Sequence, residues 1–203
     1  MQSGYKLWLA AAVAIIAATA GILLARLQQP APPELTGGTW LPVARPAPSF
    51  ALTDQNGRAA GLERLRGQAT LLFFGFSNCP DVCPTTLALL ASVRKQTQLQ
   101  PLQVVMVSID PERDTPLQLQ RYLRGFDPDF IGLTGATTQI ELLTKAYAAA
   151  AQRQPLPGGD YTMDHSATVY LLDPEARLVA VFTPPLSLEN IRHDLDLLAR
   201  RLS

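Results

Sequence analysis

Two uninterrupted apolar segments constrain the fold of this chain more than any other feature. They are TLLFFGF at residues 70–76 and LQVVMVSI at residues 102–109. Continuous apolar strands are typical of a sheet that is buried on both faces, and such sheets are mostly parallel. A helix predicted from about residue 85 to residue 97 supplies the crossover that two parallel strands require. The sequence therefore predicts an α/β fold.

The other segments continue this alternation. Asn56-Gly57 predicts an N-terminal hairpin, and Thr115-Pro-Leu-Gln118 has the pattern of a helix start with a capping box. The further predicted elements are strands at 49–53 and 58–60, a helix at 115–124, a strand or loop at 129–133, a helix at 138–152, a Pro/Gly-rich loop at 154–164, strands at 167–172 and 178–182, and a helix at 187–202. The last two strands are joined tightly enough to be antiparallel. A thioredoxin-like α/β sandwich fits this order best, and an open doubly wound sheet is the alternative.

The first 27 residues are predicted to be a membrane anchor. Leu7–Ala25 is a segment of 19 residues without a charge, between Lys6 and Arg26. A single transmembrane helix needs about 20 apolar residues. A cleaved signal peptide is the alternative, because Ala18-Thr19-Ala20 resembles a cleavage site. Both interpretations place the rest of the chain outside the cytoplasm, where cysteines meet an oxidising environment.

A proline-rich tether is predicted to connect this anchor to the globular domain. Residues 28–48 contain six prolines and two glycines, a composition typical of an extended linker. The domain is then predicted at residues 49–203. The formal net charge is zero, from 17 basic and 17 acidic residues. No basic field favours nucleic acid, so nucleic acid is not an expected partner.

Both cysteines lie directly after the first buried segment. Cys79 and Cys83 are four residues apart, and a proline follows each. Ligand sites in α/β sheets gather at the carboxyl ends of strands, and a helix N-terminus lowers the pKa of a thiol. Because proline disfavours helical angles in the preceding residue, we expect the helix to begin at or after Pro84. A disulfide, redox chemistry and metal binding all remain open, and two inert buried cysteines are the least favoured interpretation.

The two histidines differ in their surroundings. His165 follows Asp164 at the end of the Pro/Gly-rich loop and precedes a strand, where it can face the loop after a neighbouring strand. Asp164 is a candidate to orient the imidazole. His193 lies on the polar face of the last helix, among Arg192, Asp194 and Asp196, so we expect it to be exposed to solvent.

Two thiolates and one imidazole make a Cys2His donor set. Thiolates favour Cu(I), zinc and iron–sulfur centres, whereas imidazole suits copper and zinc. Two cysteines and two histidines are too few for the usual closed zinc site or for an iron–sulfur cluster with four protein ligands. Any metal site is therefore expected to be open. Copper is the favoured ion because this donor set can hold both of its oxidation states. Zinc with an open coordination position remains an alternative.

Three motifs carry a resemblance to a known family. They are FGFSNCPDVCPTTL at 74–87, VSIDPERDTP at 107–116 and DHSATVYLLDP at 164–174. In this order they strongly resemble the Sco (SenC) copper-binding proteins of cytochrome c oxidase assembly. The likeness covers roughly residues 50–198 and implies a thioredoxin-like fold.

This resemblance implies a ligand set and one departure from the pattern. By resemblance, Cys79, Cys83 and His165 take the positions of the copper ligands, for Cu(I) or Cu(II). Ala176 stands where the family usually has glycine after an aspartate-proline turn. The shape of that turn is the point at which the likeness is weakest.

The resemblance also implies a function. It is that of a membrane-anchored copper chaperone that supplies the dinuclear copper site of cytochrome c oxidase subunit II. The expected location is the inner membrane, with the domain in the periplasm, and the expected partners include other copper chaperones or thiol reductants. The alternative is a thiol-disulfide oxidoreductase that keeps the oxidase cysteines reduced, in which Cys79 and Cys83 are catalytic. A thioredoxin-type catalyst normally has two residues between its cysteines, whereas this chain has three.

The charged residues of the second motif have two interpretations. Asp110 ends a buried strand and is expected to support the site through contacts behind the ligands. Arg113 and Asp114 are expected to pair with each other or with a partner protein. The alternative is a charged loop that only stabilises the start of the next helix.

Overall fold

The computed structural model describes residues 8, 12, 14–21 and 34–202. The predicted transmembrane helix, Leu7–Ala25, lies only partly within these residues, and the first part of the predicted tether, residues 28–33, lies outside them. Among the residues that are described, none belongs to a helix with the length and apolar character needed to cross a membrane. The anchor and the three-part division of the chain therefore stay predictions.

Residues 34–202 form one compact unit built on a mixed sheet. The strands are β1 (Thr39–Pro46), β2 (Leu52–Asp54), β3 (Ala59–Ala60), β4 (Ala69–Gly75), β5 (Leu102–Ser108), β6 (Ile131–Thr134), β7 (Ala151–Pro155), β8 (Tyr161–His165), β9 (Val169–Leu172) and β10 (Arg177–Phe182). The helices are α1 (Val82–Gln96), α2 (Pro116–Arg124), α3 (Thr137–Ala146) and α4 (Leu188–Leu202), and short 3₁₀ helices cover Leu62–Leu65 and Pro157–Gly159.

Eight strands form the main sheet in the order β1-β10-β9-β4-β5-β6-β2-β3. Strands β4, β5 and β6 are parallel, and the other neighbours are antiparallel. Every residue of β4 and β5 is buried, which explains their continuous apolar sequences. The antiparallel partner on each flank of the parallel centre distinguishes this sheet from the doubly wound alternative.

Several predicted local features are confirmed. Strands β2 and β3 form the expected hairpin, and β9 and β10 are antiparallel. The side chain of Thr115 accepts the N–H of Gln118 at 3.2 Å. The predicted capping box is wrong in its second bond, because the side-chain amide of Gln118 donates to the hydroxyl of Ser77 and does not reach back to Thr115. Helix α2 is therefore tied to the segment that carries Cys79.

Two predicted helix boundaries are wrong. Helix α1 begins at Val82, ahead of Pro84, because proline is tolerated in the first turn, where no N–H partner is needed. Helix α3 ends at Ala146, well before the predicted residue 152. Ala148 has a φ of 53°, a left-handed conformation that stops the helix.

The predicted loop at 154–164 is a β-hairpin. Strands β7 and β8 pair from Ala151↔His165 to Pro155↔Tyr161 as a two-stranded sheet of their own. The sequence AQRQP lacks the alternation of apolar and polar residues that marks a strand. The sequence YTMDH does alternate, but it directly follows the Pro/Gly-rich residues 155–159, which predict a loop. Because this hairpin carries His165, the correction bears directly on the candidate site.

The main sheet begins inside the segment that was predicted as a tether. Residues 39–46 form β1, which pairs with β10 at the edge of the sheet. Proline is tolerated on edge strands and at bulges, and the register shifts between Trp40 and Arg45, around Pro42. The tether composition was therefore compatible with a strand.

Ala176 adopts the conformation that glycine favours. Its φ is 61°, and its N–H donates to the carbonyl oxygen of Asp173 at 2.9 Å. The tight turn between β9 and β10 is therefore formed in spite of the alanine.

Candidate metal centre

Three separate elements bring the predicted ligands together. Cys79 lies in the loop after β4, Cys83 in the first turn of α1, and His165 at the end of β8. The ligand atoms of the three side chains all lie within 4.8 Å of one another. The imidazole Nε2 is 3.3 Å from the sulfur of Cys83 and 3.9 Å from that of Cys79. Both cysteines are free thiols in this structure.

The start of helix α1 contacts the sulfur of Cys79 through a backbone hydrogen bond. The backbone N–H of Cys83 donates to the Cys79 sulfur at 3.4 Å. The early helix start therefore has a chemical consequence, because it aims a backbone donor at the first sulfur.

Cys83 is in a different environment. Its side chain is completely buried, and burial raises the pKa of its thiol, although a hydrogen bond with the backbone of Phe76 opposes that shift. Without a metal, Cys83 is therefore a neutral thiol at physiological pH. Metals bind the thiolate, so a metal ion entering the site must displace this proton.

The orientation of His165 suits a metal ligand. Its Nδ1 lies 3.2 Å from the carbonyl oxygen of Ser166, which can only accept, so Nδ1 carries the proton and Nε2 presents its lone pair to the two sulfurs. Phe73 and Phe76 contact the ring edge-on, with centroids 6.0 and 5.7 Å away. Burial lowers the pKa of the imidazole, which keeps it neutral and able to bind a metal.

The orienting group is therefore a backbone carbonyl, whereas the sequence suggested Asp164. Asp164 is exposed, and its charge is the smallest of the influences on the imidazole pKa. His193 is exposed on α4, as predicted. Asp194, predicted on the same polar face, is instead buried, because its carboxylate accepts the backbone N–H groups of residues 36–38. The structure thus separates the two histidines in the way that the helical pattern indicated.

Asp114 supports the loop that carries Cys79. This buried carboxylate accepts the N–H of Ser77 at 3.0 Å and the hydroxyls of Ser77 and Ser108 at 2.5 and 2.6 Å. Burial raises the pKa of Asp114, and the serine donors oppose that shift. Ser77 is two residues before Cys79, so these bonds fix the start of the cysteine loop. The expected pair of Arg113 with Asp114 is not formed, because Arg113 pairs with Asp110.

Asp110 supports the hairpin that carries His165. One of its oxygens accepts the hydroxyl of Tyr161 at 2.7 Å, and the other accepts from Arg113. The loop between β5 and α2 therefore contacts both ligand-bearing segments, through Asp114 on one side and Asp110 on the other.

Sequence reasoning missed Gly75, Ser77 and Tyr161. A Cβ atom on Gly75 would lie 2.6 Å from the Phe73 ring and 3.0 Å from the Cys83 sulfur, so the backbone there must pass close to the thiol. Glycine at the end of a buried strand is a weak signal of such a close approach. For Ser77 and Tyr161 no local signal existed, because their partners lie 37 and 51 residues away.

The donor set and its access fit a soft metal ion. Two sulfurs and one nitrogen suit copper or zinc, and three protein ligands leave a coordination position open. A cavity of about 450 Å³, lined by residues that include Val82, Leu89 and Leu186, reaches His165. The arrangement can hold an ion and also expose it to an incoming ligand.

The fold and the site together define a thioredoxin-like protein with a candidate dithiol–imidazole metal centre. A family model described as SCO1/SenC matches residues 42–200. This match covers most of the chain, so the protein belongs to the SCO1/SenC family.

Individual relatives agree with this assignment. A Stutzerimonas stutzeri protein whose name refers to copper binding is 39% identical over 159 residues, which are 76% of this chain and 78% of that protein. The mitochondrial SCO2 homologue of Bos taurus is 37% identical over 147 residues, covering 70% of this chain and 55% of that protein. The chain thus spans about half the length of that longer relative.

Solved structures share the fold. Bradyrhizobium japonicum ScoI with copper bound is 38% identical with a TM-score of 0.68, covering 78% of this chain and 99% of that one. BsSco, described as a member of the Sco family of cytochrome c oxidase assembly proteins with a disulfide switch, is 24% identical with a TM-score of 0.63, covering 80% of this chain and 98% of that one. The second likeness supports the fold alone.

Proposed function

We propose that this protein is a copper chaperone that binds copper through the thiolates of Cys79 and Cys83 and the imidazole of His165. The observation that carries the proposal is the convergence of the three ligand atoms within 4.8 Å, with the unprotonated Nε2 facing both sulfurs. Copper is favoured over zinc because copper is bound in the Bradyrhizobium japonicum relative.

The proposed recipient is the dinuclear copper site of cytochrome c oxidase subunit II. A carrier has to hold its ion and yet release it, and a site with few ligands beside an open cavity allows a recipient thiol to enter. The support for an oxidase client is membership of the SCO1/SenC family, together with the resemblance of the three sequence motifs to the copper-binding proteins of oxidase assembly.

The proposed location is the inner membrane, with the domain in the periplasm. Its support is the uncharged segment Leu7–Ala25, which is long enough to span a bilayer. Extraction of membranes at high pH, followed by N-terminal sequencing, tests this part. Release of a chain shortened to about Gly21 would show a cleaved signal peptide in place of an anchor.

Metal analysis of the full chain, purified reduced under anaerobic conditions, tests the copper assignment. We expect one copper per chain in the wild-type protein and much less in Cys79→Ser. Zinc at the same ratio, with no copper after growth in copper-containing medium, would contradict the proposal.

A thiol-disulfide reductase is the second candidate, because both thiols are free and close together. In that reaction the thiolate of Cys79 attacks a client disulfide and releases one client thiolate. Cys83 then attacks the mixed disulfide, which forms the Cys79–Cys83 disulfide and releases the second client thiol. A separate thiol reductant must then reduce this disulfide. The orientation of His165 Nε2 toward both sulfurs has no necessary role in this cycle, and for that reason we favour copper carriage.

A further inference from the structure

The hairpin that carries His165 depends on contacts with the rest of the domain. Strands β7 and β8 form a two-stranded sheet separate from the main one. An isolated two-stranded hairpin is marginally stable in water. The position of the imidazole therefore depends on the side chains that hold this hairpin in place.

Tyr161, at the start of β8, makes several of these contacts. Its ring lies between two guanidinium groups, with the carbon of Arg113 at 3.8 Å and that of Arg153 at 3.5 Å from the ring centroid. Its hydroxyl donates to Asp110 at 2.7 Å, and its carbonyl oxygen accepts from Arg113 at 3.0 Å. Cations over both faces of one aromatic ring attract it from both sides.

The stack, in which the Tyr161 ring lies between the guanidinium groups of Arg113 and Arg153, joins the hairpin to the loop between β5 and α2. Arg153 belongs to β7, whereas Arg113 and Asp110 belong to the loop. Glu112 of the same loop accepts from Arg153 at 3.2 Å through both carboxylate oxygens. Each strand of the hairpin is therefore tied to one loop, whose Asp114 also fixes the cysteine segment.

Tyr161 and His165 occupy the same face of one strand. Side chains four residues apart on a strand point the same way and are about 13 Å apart along it. A shift of β8 at Tyr161 therefore carries over to the imidazole, while the sulfurs of Cys79 and Cys83 are held by β4 and α1. The distance from Nε2 to the sulfurs is the quantity that the stack sets.

We propose that Tyr161 is a positioning residue for the metal centre, which sets the strength of Cu(II) binding relative to Cu(I) by holding His165 against the two thiols. The inference rests on the proposed copper site. Two thiolates suffice to hold the soft Cu(I) ion, whereas Cu(II) gains more from the imidazole. Loosening the stack therefore weakens Cu(II) binding selectively.

The test compares Tyr161→Leu, which removes the ring and the hydroxyl, with Tyr161→Phe, which keeps the stacked ring. Tyr147→Phe is the matched control, because the Tyr147 hydroxyl is buried and has no partner among the described residues. Dissociation constants for Cu(I) and Cu(II) are measured on the reduced full chain in detergent. The Cu(II) electron paramagnetic resonance spectrum is recorded for each variant, and amide hydrogen exchange is recorded without metal.

For Tyr161→Leu we expect Cu(II) binding to weaken about tenfold, as is usual when a group that orients a ligand is lost, with little change in Cu(I) binding. Nitrogen hyperfine coupling in the Cu(II) spectrum should decrease, and amides 161–165 should exchange faster while those of α1 do not. Tyr161→Phe should restore most of the Cu(II) affinity, and Tyr147→Phe should match the wild-type protein.

Two results would overturn the inference. One is a Tyr161→Leu protein, folded by circular dichroism, with a wild-type ratio of Cu(II) to Cu(I) affinity and an unchanged spectrum. The other is equal weakening of both oxidation states, which indicates general destabilisation. A wild-type protein that binds neither ion refutes the proposed function, and the inference with it. Normal wild-type binding with an unaltered Tyr161→Leu refutes the inference alone.

Discussion

The imidazole Nε2 of His165 lies 3.3 Å from the sulfur of Cys83, although 82 residues separate them in the chain. One side chain belongs to the first turn of a helix and the other to the end of a polar hairpin. Their contact joins the two parts of the candidate site, and it has direct consequences for metal binding.

Copper binding should require reduced thiols. A Cys79–Cys83 disulfide removes both thiolates from the donor set, so the oxidised protein should lose high-affinity binding of either copper ion. Titration of Cu(I) and Cu(II) into the reduced and oxidised full chain measures this. Cys79→Ser and Cys83→Ser serve as controls for the loss of one thiolate. Equal copper affinity of the reduced and oxidised proteins would contradict a site with two thiolate ligands.

The two histidines should differ in their importance for Cu(II). His165→Ala removes the nitrogen ligand and should weaken Cu(II) binding more than Cu(I) binding, because two thiolates still hold Cu(I). His193→Ala is the matched control, since this imidazole is exposed on α4 and should leave both affinities unchanged. A comparable loss from both substitutions would show that the ligand assignment is wrong.

Gly75→Ala should disturb the site without removing a ligand. The added methyl group meets the Phe73 ring at 2.6 Å and the Cys83 sulfur at 3.0 Å. We expect a loss of about 1–3 kcal/mol in the free energy of unfolding, as is typical for overpacking a core, together with weaker Cu(I) binding. Gly125→Ala, whose methyl group meets only a carbonyl oxygen at 3.2 Å, should leave Cu(I) binding unchanged. Chemical denaturation and Cu(I) titration measure the two effects, and wild-type values for Gly75→Ala would refute the close contact.

Ala148→Gly should stabilise the domain. Ala148 has a φ of 53°, and the N–H groups of Ala148 and Ala149 donate to Lys145 and Thr144 in a Schellman arrangement. Glycine relieves the strain of the left-handed backbone, but it also gives the unfolded chain more conformational entropy. The net result should be an increase of about 0.5–1 kcal/mol in the free energy of unfolding.

Ala176→Gly is the comparison for this prediction. Its φ of 61° is similar, but its methyl group is buried, and loss of a buried methyl group costs about 0.8 kcal/mol. We therefore expect Ala176→Gly to leave the free energy of unfolding almost unchanged. Thermal denaturation of both variants measures the difference, and a larger gain at Ala176 than at Ala148 would contradict the argument.

The sequence predicted the centre of the fold better than its edges. Strands β4 and β5 are buried on both faces, so their continuous apolar sequences identified them as strands. Both cysteines follow the end of β4, so their position at the carboxyl edge of the sheet was predicted as well. Strands β7 and β8 were missed because the Pro/Gly-rich residues 155–159 between them predict a loop and because the two strands pair with each other outside the main sheet. Strand β1 was missed because prolines at a sheet edge resemble a linker.

The ligands were predicted, whereas their supports were not. Cys79, Cys83 and His165 belong to motifs that can be recognised locally. Tyr161 and Asp114 act through partners 51 and 37 residues away, and nothing in their immediate neighbours indicates those contacts. Such supports become visible only when the fold places the loop between β5 and α2 beside both ligand-bearing segments.

The most direct test of the central claim is oxidase assembly in cells that carry single substitutions at the site. Oxidase activity and copper content are measured in membranes from His165→Ala and Cys79→Ser strains at matched protein levels. If the protein carries copper on all three ligands, His165→Ala loses assembled oxidase nearly as severely as Cys79→Ser, and added copper partly restores it by mass action. Normal oxidase in His165→Ala, alongside a defect in Cys79→Ser, would contradict copper carriage by this site and favour the thiol reductase.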